Sequence, residues 1–119
     1  MLYNILKISN ETDDKLIAEF NLDPKDAVFK GHFPQQAILP GVVMVQIMRD
    51  ILQKHLNVSI GLQSASNIKY LLLIIPVENK ILTFNIRFKY LSQDQISITS
   101  ELIQDGSISM KFSGVYKIM

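Results

Sequence analysis

The chain has 119 residues and carries 12 Lys+Arg against 11 Asp+Glu, a net charge of +1. That length fits one domain, and an apolar share of 48% with 19% charged residues excludes a disordered chain. The cations are scattered with no run of three, which argues against a nucleic-acid partner. Cysteine is absent, removing disulfides, thiolate zinc sites and cysteine nucleophiles together. With only His32 and His55 as histidines, no metal site and no cofactor is expected. The most apolar stretch, Tyr70 to Val77, is interrupted by Pro76 and falls far short of the roughly 20 residues that span a bilayer. The start lacks a signal peptide's basic region, so a cytoplasmic protein without a membrane partner is expected.

Leu2 to Ile8 and Leu16 to Leu22 read as two strands joined by the polar turn Ser9 to Asp14. Lys25 to Leu39 reads as a loop punctuated by Gly31 and Pro34. Pro40 to Leu56 reads as a helix, since proline is tolerated in the first turn, where its missing N–H costs nothing. Val42, Val43, Met44, Val45, Ile47 and Met48 surround its first turns, which predicts burial on every side. Gln46, Arg49, Asp50 and Gln53 form a single polar stripe. From Ile60 onward the period changes to two. Leu82, Phe84, Ile86, Phe88 and Tyr90 alternate with polar residues, and so do Ile96, Ile98 and Leu102. After Asp105-Gly106, a dipeptide suited to a type I′ hairpin, Ile108, Met110, Phe112, Tyr116 and Ile118 continue the apolar face. Two strands, one buried helix and about four strands predict an α+β domain, an antiparallel meander wrapped around one central helix.

The chemistry-bearing segment is Gly31-His32-Phe33-Pro34, followed five residues later by Pro40-Gly41. It sets a histidine on a tight loop ahead of a helix N-terminus. There the Gly41 N–H lacks an intrahelical partner, and the helix dipole lets it polarise a carbonyl. A neutral imidazole beside a polarised carbonyl can remove a proton α to that carbonyl.

These residues resemble the 3-hydroxyacyl-acyl-carrier-protein dehydratases of the hotdog fold, whose signature reads G-H-F-P-x5-P-G-V. Gly31, His32, Phe33, Pro34, Pro40, Gly41 and Val42 match it in type and spacing. Lys69 and Tyr70 echo the family's basic–aromatic pair. Pro76 and Glu78 echo its P-G-D turn, with Val77 in place of the glycine. One position departs. The family's helix carboxylate falls on Gln46, and its glutamine one turn later on Asp50. Residues four apart lie about 5–6 Å from each other on a helix face, so Asp50 does not simply fill the missing acid's place. Gln46 reads either as an active-site group or as a buried amide tied to loop backbone. Asp50 reads either as a catalytic carboxylate or as a solvated one.

The resemblance implies a single hotdog domain over residues 1–119, with the sheet wrapped around the central helix. It also implies a dimer or higher oligomer, homomeric or shared with another hotdog protein, that takes acyl thioesters from acyl carrier protein. The implied reaction removes water from a 3-hydroxyacyl chain in fatty-acid or polyene-type synthesis. His32 is the implied base and the Gly41 N–H the oxyanion donor, with Gln46 and Asp50 as the remaining catalytic candidates and Phe33 and Val42 contacting substrate. Two alternatives stand beside it: a non-catalytic subunit of a heteromeric dehydratase, and an acyl thioesterase in which Asp50 activates water.

Overall fold

The computed structural model describes residues 1–31 and 35–119. Six strands and one α-helix are present among them: β1 Tyr3–Thr12, β2 Lys15–Leu22, α1 Gly41–Leu56, β3 Ile60–Tyr70, β4 Leu82–Tyr90, β5 Gln95–Gln104 and β6 Ser107–Ile118. All six strands join one sheet in the order β1-β2-β4-β5-β6-β3, and every pair is antiparallel. The helix lays Met44, Ile47, Met48, Ile51 and Leu52 against the sheet's apolar face. This antiparallel sheet with one long helix is the expected α+β arrangement.

The period-two segments supply the core. Leu16, Ala18 and Phe20 of β2, Leu82, Phe84 and Ile86 of β4, and Ile96, Ile98 and Leu102 of β5 are buried. Cross-strand register aligns Ala18, Phe84, Leu102 and Met110 in one row beneath the helix. Phe20 stacks on Phe84 with ring centroids 5.4 Å apart, and Tyr3 meets Phe20 edge-on at 6.2 Å. At the Asp105-Gly106 hairpin both central residues have positive φ, 49° and 75°, and Gln104 pairs with Ser107 across the turn. Only residues that tolerate the left-handed region close such a two-residue turn, as the sequence indicates.

Four expectations need correction. First, the polar residues Ser9 to Thr12 belong to β1 rather than to a turn, because they pair with Ile17 to Lys15 at the sheet's edge. An edge strand with solvent on its sides has no need of apolar alternation. Second, the C-terminal half is not a simple meander. β3 lies beside β6, and residues 71–81 cross from one end of the sheet's order to β4 in its interior. Third, the first turns of α1 are not buried all round, since Val42 is 64% exposed and Gln46 is exposed too. Fourth, Tyr90 ends β4 half-exposed, because the helix covers only the strand's earlier residues.

Candidate functional site

Pro40 caps α1 in extended conformation (φ −63°, ψ 142°) and offers no side-chain bond to the helix's free donors. Its carbonyl accepts from the N–H groups of Val43 and Met44, at 3.0 and 3.2 Å. The N–H groups of Gly41 and Val42 precede the first intrahelical bond and keep the partial positive charge of the helix end.

Tyr70, the last residue of β3, lies against this helix end. A Cβ built on Gly41 would stand 2.5 Å from the phenol Cζ of Tyr70 and 2.9 Å from its hydroxyl oxygen. The absence of a side chain at position 41 is therefore what lets Tyr70 approach the helix end, and any side chain there would displace its ring. Burial pushes the Tyr70 hydroxyl above its usual range, so it stays protonated at neutral pH. Three backbone bonds fix the segment that follows it. The Leu71 and Leu72 N–H groups donate to the Ser109 carbonyl at 2.8 and 3.2 Å, and the Leu39 N–H donates to the Ile74 carbonyl at 2.8 Å. Ser109 is the extra residue where the β5–β6 register shifts, which frees its carbonyl for this double duty. The Gln104 amide adds a fourth anchor on the Leu73 carbonyl at 2.8 Å. The loop before the helix, the strap after β3 and the β6 bulge thus meet at the N-terminus of α1.

Further along the helix, Gln46 lines a shallow groove of about 170 Å³ with Val42, Val45, Arg49, Leu62 and Tyr116. Its side chain is exposed and makes no hydrogen bond to another described residue. Among the described residues, no carboxylate lines this groove. Asp50 is engaged elsewhere. The Tyr3 hydroxyl donates to its Oδ2 at 3.2 Å, and the Arg49 guanidinium approaches its Oδ1 at 3.5 Å. Burial and the neighbouring Asp50 carboxylate push the Tyr3 hydroxyl up to about 12. Asp50 therefore secures the N-terminal strand to the helix, while Gln46 faces the groove beside β3.

Of the sequence-identified residues, the structure brings Val42 and Gln46 together in one open groove on α1, sets Gly41 against Tyr70 at the helix end, and sets Asp50 against β1. His32 and Phe33 lie outside the described residues. Among the described residues no cluster of His, Asp or Glu could hold a metal, and no helix is long and apolar enough to cross a membrane. Motif matching singled out Tyr70 only as half of a basic–aromatic pair. Its contact with Gly41 is visible only once β3 is placed.

Residues 8–103 match the sequence model of the ApeI-like family, described as ApeI dehydratase. A 3-hydroxyacyl-[acyl-carrier-protein] dehydratase, FabZ, from Psychrobacter arcticus is 31% identical over 99 residues, 82% of this chain and 58% of the relative. The FabZ of Thermotoga petrophila is 41% identical over a shorter 39 residues, 33% of this chain and 28% of its own length. The chain thus spans little more than half of one of these curated relatives and under a third of the other. Among solved structures, the dehydratase heterocomplex ApeI:P from Xenorhabdus doucetiae superposes with a TM-score of 0.75 at 20% identity, covering 99% of this chain and 98% of that one. A mutant of the thioesterase PA1618 from Pseudomonas aeruginosa superposes at 0.67 with 15% identity, covering 97% and 81%. At such identities these neighbours show the hotdog fold alone, whereas the family match extends over most of the sequence. The chain belongs to the ApeI-like dehydratase family of hotdog proteins.

Proposed function

We propose that this protein removes water from 3-hydroxyacyl thioesters presented by an acyl carrier protein, working as an assembly of two or more hotdog subunits. The observation that carries this reading is the G-H-F-P-x5-P-G-V motif leading into an uncapped helix N-terminus, in a chain of the ApeI-like dehydratase family. His32 takes the C2 proton, and the Gly41 N–H holds the thioester oxygen as it gains charge. The C2–C3 double bond forms as the C3–O bond breaks, and the departing hydroxyl leaves as water. Gln46 can hold that hydroxyl by hydrogen bonds but has no labile proton to give. Asp50 is committed to Tyr3. His32 is then the group that returns the C2 proton to the leaving oxygen, which balances the elimination with one residue as base and acid.

An assembly is supported by β3, which is exposed from Leu62 to Tyr70 although it pairs with β6. It is an edge strand in a sheet this small, and pairing with a second hotdog edge removes that liability.

The test is enoyl-thioester formation, followed by absorbance, with purified protein and 3-hydroxyacyl thioesters of several chain lengths. His32→Ala is expected to lose about 10²–10⁴-fold in rate, the usual contribution of a general base. A variant that keeps more than about a tenth of the rate removes His32 as the base. Release of free acid in place of enoyl product makes the protein a thioesterase. Turnover that starts only when a second hotdog protein is added makes it one half of a heteromeric enzyme.

A further inference from the structure

We propose that the Tyr70 hydroxyl is a second hydrogen-bond donor to the thioester carbonyl oxygen, acting beside the Gly41 N–H at the start of α1. The inference rests on the dehydratase reading and adds to it a residue that touches substrate. Three observations carry it.

The hydroxyl-bearing end of the Tyr70 ring meets Gly41: Cζ, Cε1 and the hydroxyl oxygen lie 2.5, 2.7 and 2.9 Å from the position a Cβ would take. The hydroxyl makes no hydrogen bond to another described residue, and Tyr70 is 52% exposed, so the group is open to a ligand or to water. A hydroxyl beside Gly41 that the described residues leave unused can exchange water for a ligand oxygen. Its backbone is also anchored. Tyr70 pairs with Met110 in the sheet, and the two residues after it are bonded to the Ser109 carbonyl. An anchored backbone limits the reorganisation the hydroxyl needs as charge develops on the oxygen it meets.

The chemistry asks for such a group. Abstraction of the C2 proton places negative charge on the thioester oxygen, and a single backbone N–H is a sparse partner for it. A phenol whose proton is held firmly can share a hydrogen bond with that oxygen without giving the proton up. No proton is transferred to or from Tyr70 in the cycle. His32 alone carries the C2 proton, and Tyr70 lowers the barrier to the step that releases it. In a site whose helix offers an amide at Gln46, stabilisation of the enolate oxygen carries more of the burden than protonation of the leaving group.

Tyr70→Phe tests this while keeping the ring that covers Gly41. The first probe is an acyl pantetheine thioester without a 3-hydroxyl, labelled with ¹³C at the carbonyl, whose NMR shift moves downfield when its oxygen accepts hydrogen bonds. The second is turnover of 3-hydroxyacyl pantetheine. In wild-type protein the carbonyl is expected to shift downfield on binding, and most of that shift is lost in Tyr70→Phe. The variant's kcat falls about 10²-fold with KM little changed, the loss typical of removing one oxyanion donor. A Tyr70→Phe protein with wild-type carbonyl shift and wild-type kcat overturns the proposal and leaves the dehydratase standing. A carbonyl shift that disappears in Tyr70→Phe, in a wild-type protein that yields no enoyl product, keeps the Tyr70 contact and removes the dehydratase. A wild-type complex with no downfield shift overturns the contact directly.

Discussion

β4 and β3 lie in the same sheet and have similar lengths, yet they meet solvent in opposite ways. β4 buries Leu82, Phe84, Ile86 and Phe88 beneath the helix, with Thr83, Asn85 and Arg87 on the far side. β3 buries only Ile60 and leaves every side chain from Leu62 to Tyr70 exposed. The strap after it continues the pattern, with Leu71, Leu72, Leu73, Ile75 and Val77 all exposed and Ile74 alone buried. The helix divides in the same way. Met48, Ile51 and Leu52 are buried, while Val42 and Gln46 at the other end are open. One region is complete within the chain. The other brings the proposed substrate-holding groups, Gly41 and Tyr70, next to apolar surface that a monomer has no reason to display. The contrast separates what stabilises this fold from what the fold presents.

If that separation is right, damage to each region has a different signature. Phe84→Ala removes a fully buried ring stacked on Phe20 and is expected to cost about 3–5 kcal/mol in urea unfolding. The folded fraction keeps its specific activity and its assembly state. An unchanged urea midpoint breaks the comparison at its strongest point.

Leu73→Asp makes the complementary change. The side chain is 69% exposed, so the subunit's own packing loses little. If the strap is covered by a neighbouring subunit, burying that leucine is worth about 1.5–3 kcal/mol, and its loss weakens association by roughly 10–150-fold. Sedimentation over a concentration series reads this as a rise in the dissociation constant. Unaltered self-association places the interface elsewhere.

Gly41→Ala probes the point where the regions touch. Helix propensity alone favours alanine by about 1 kcal/mol, but the new methyl needs the space held by Tyr70. Tyr70 is half-exposed and can swing away, so the melting temperature is expected to change little while turnover falls about tenfold, roughly 1.4 kcal/mol of barrier. A lower melting temperature with intact turnover reverses the assignment of Gly41 from substrate holding to packing.

How far these regions were legible follows from the same contrast. The alternation of β4, β5 and β6 is written by burial on one face, so period two finds it. The Asp105-Gly106 turn is written by the need for positive φ. β3 carries no alternation because neither of its faces is covered within the chain, and only the structure shows it beside β6 rather than β4. The all-round apolar start of α1 predicts burial, and the chain by itself leaves Val42 open. Sequence spacing identified Gln46, Arg49, Asp50 and Gln53 as one polar stripe of the helix. It could not tell that Asp50, one turn beyond Gln46, turns to Tyr3, because that contact joins residues 47 apart in sequence.

The Tyr3–Asp50 contact supplies the smallest predicted effect and the one that separates Asp50 from catalysis. Tyr3 is pushed up to about 12 by burial and by the Asp50 carboxylate, and Tyr116 to about 12 by burial. Between the ordinary phenol value near 10 and 12, the unfolded chain has lost these protons and the folded chain has kept them. The folded state then binds more protons, so stability is fully present below pH 10 and is lost as pH rises toward 12. Tyr3→Phe removes one of the two groups. At pH 7 it is expected to cost about 1 kcal/mol, the net worth of one hydrogen bond. Above pH 10 the melting temperature of the variant is expected to fall less steeply than that of the wild type. Asp50→Asn leaves an acceptor for the Tyr3 hydroxyl but removes the charge that raises it, so its alkaline limb also flattens, with turnover unchanged. A turnover loss in Asp50→Asn that is absent from Tyr3→Phe gives Asp50 a catalytic part and joins the closed region to the open one.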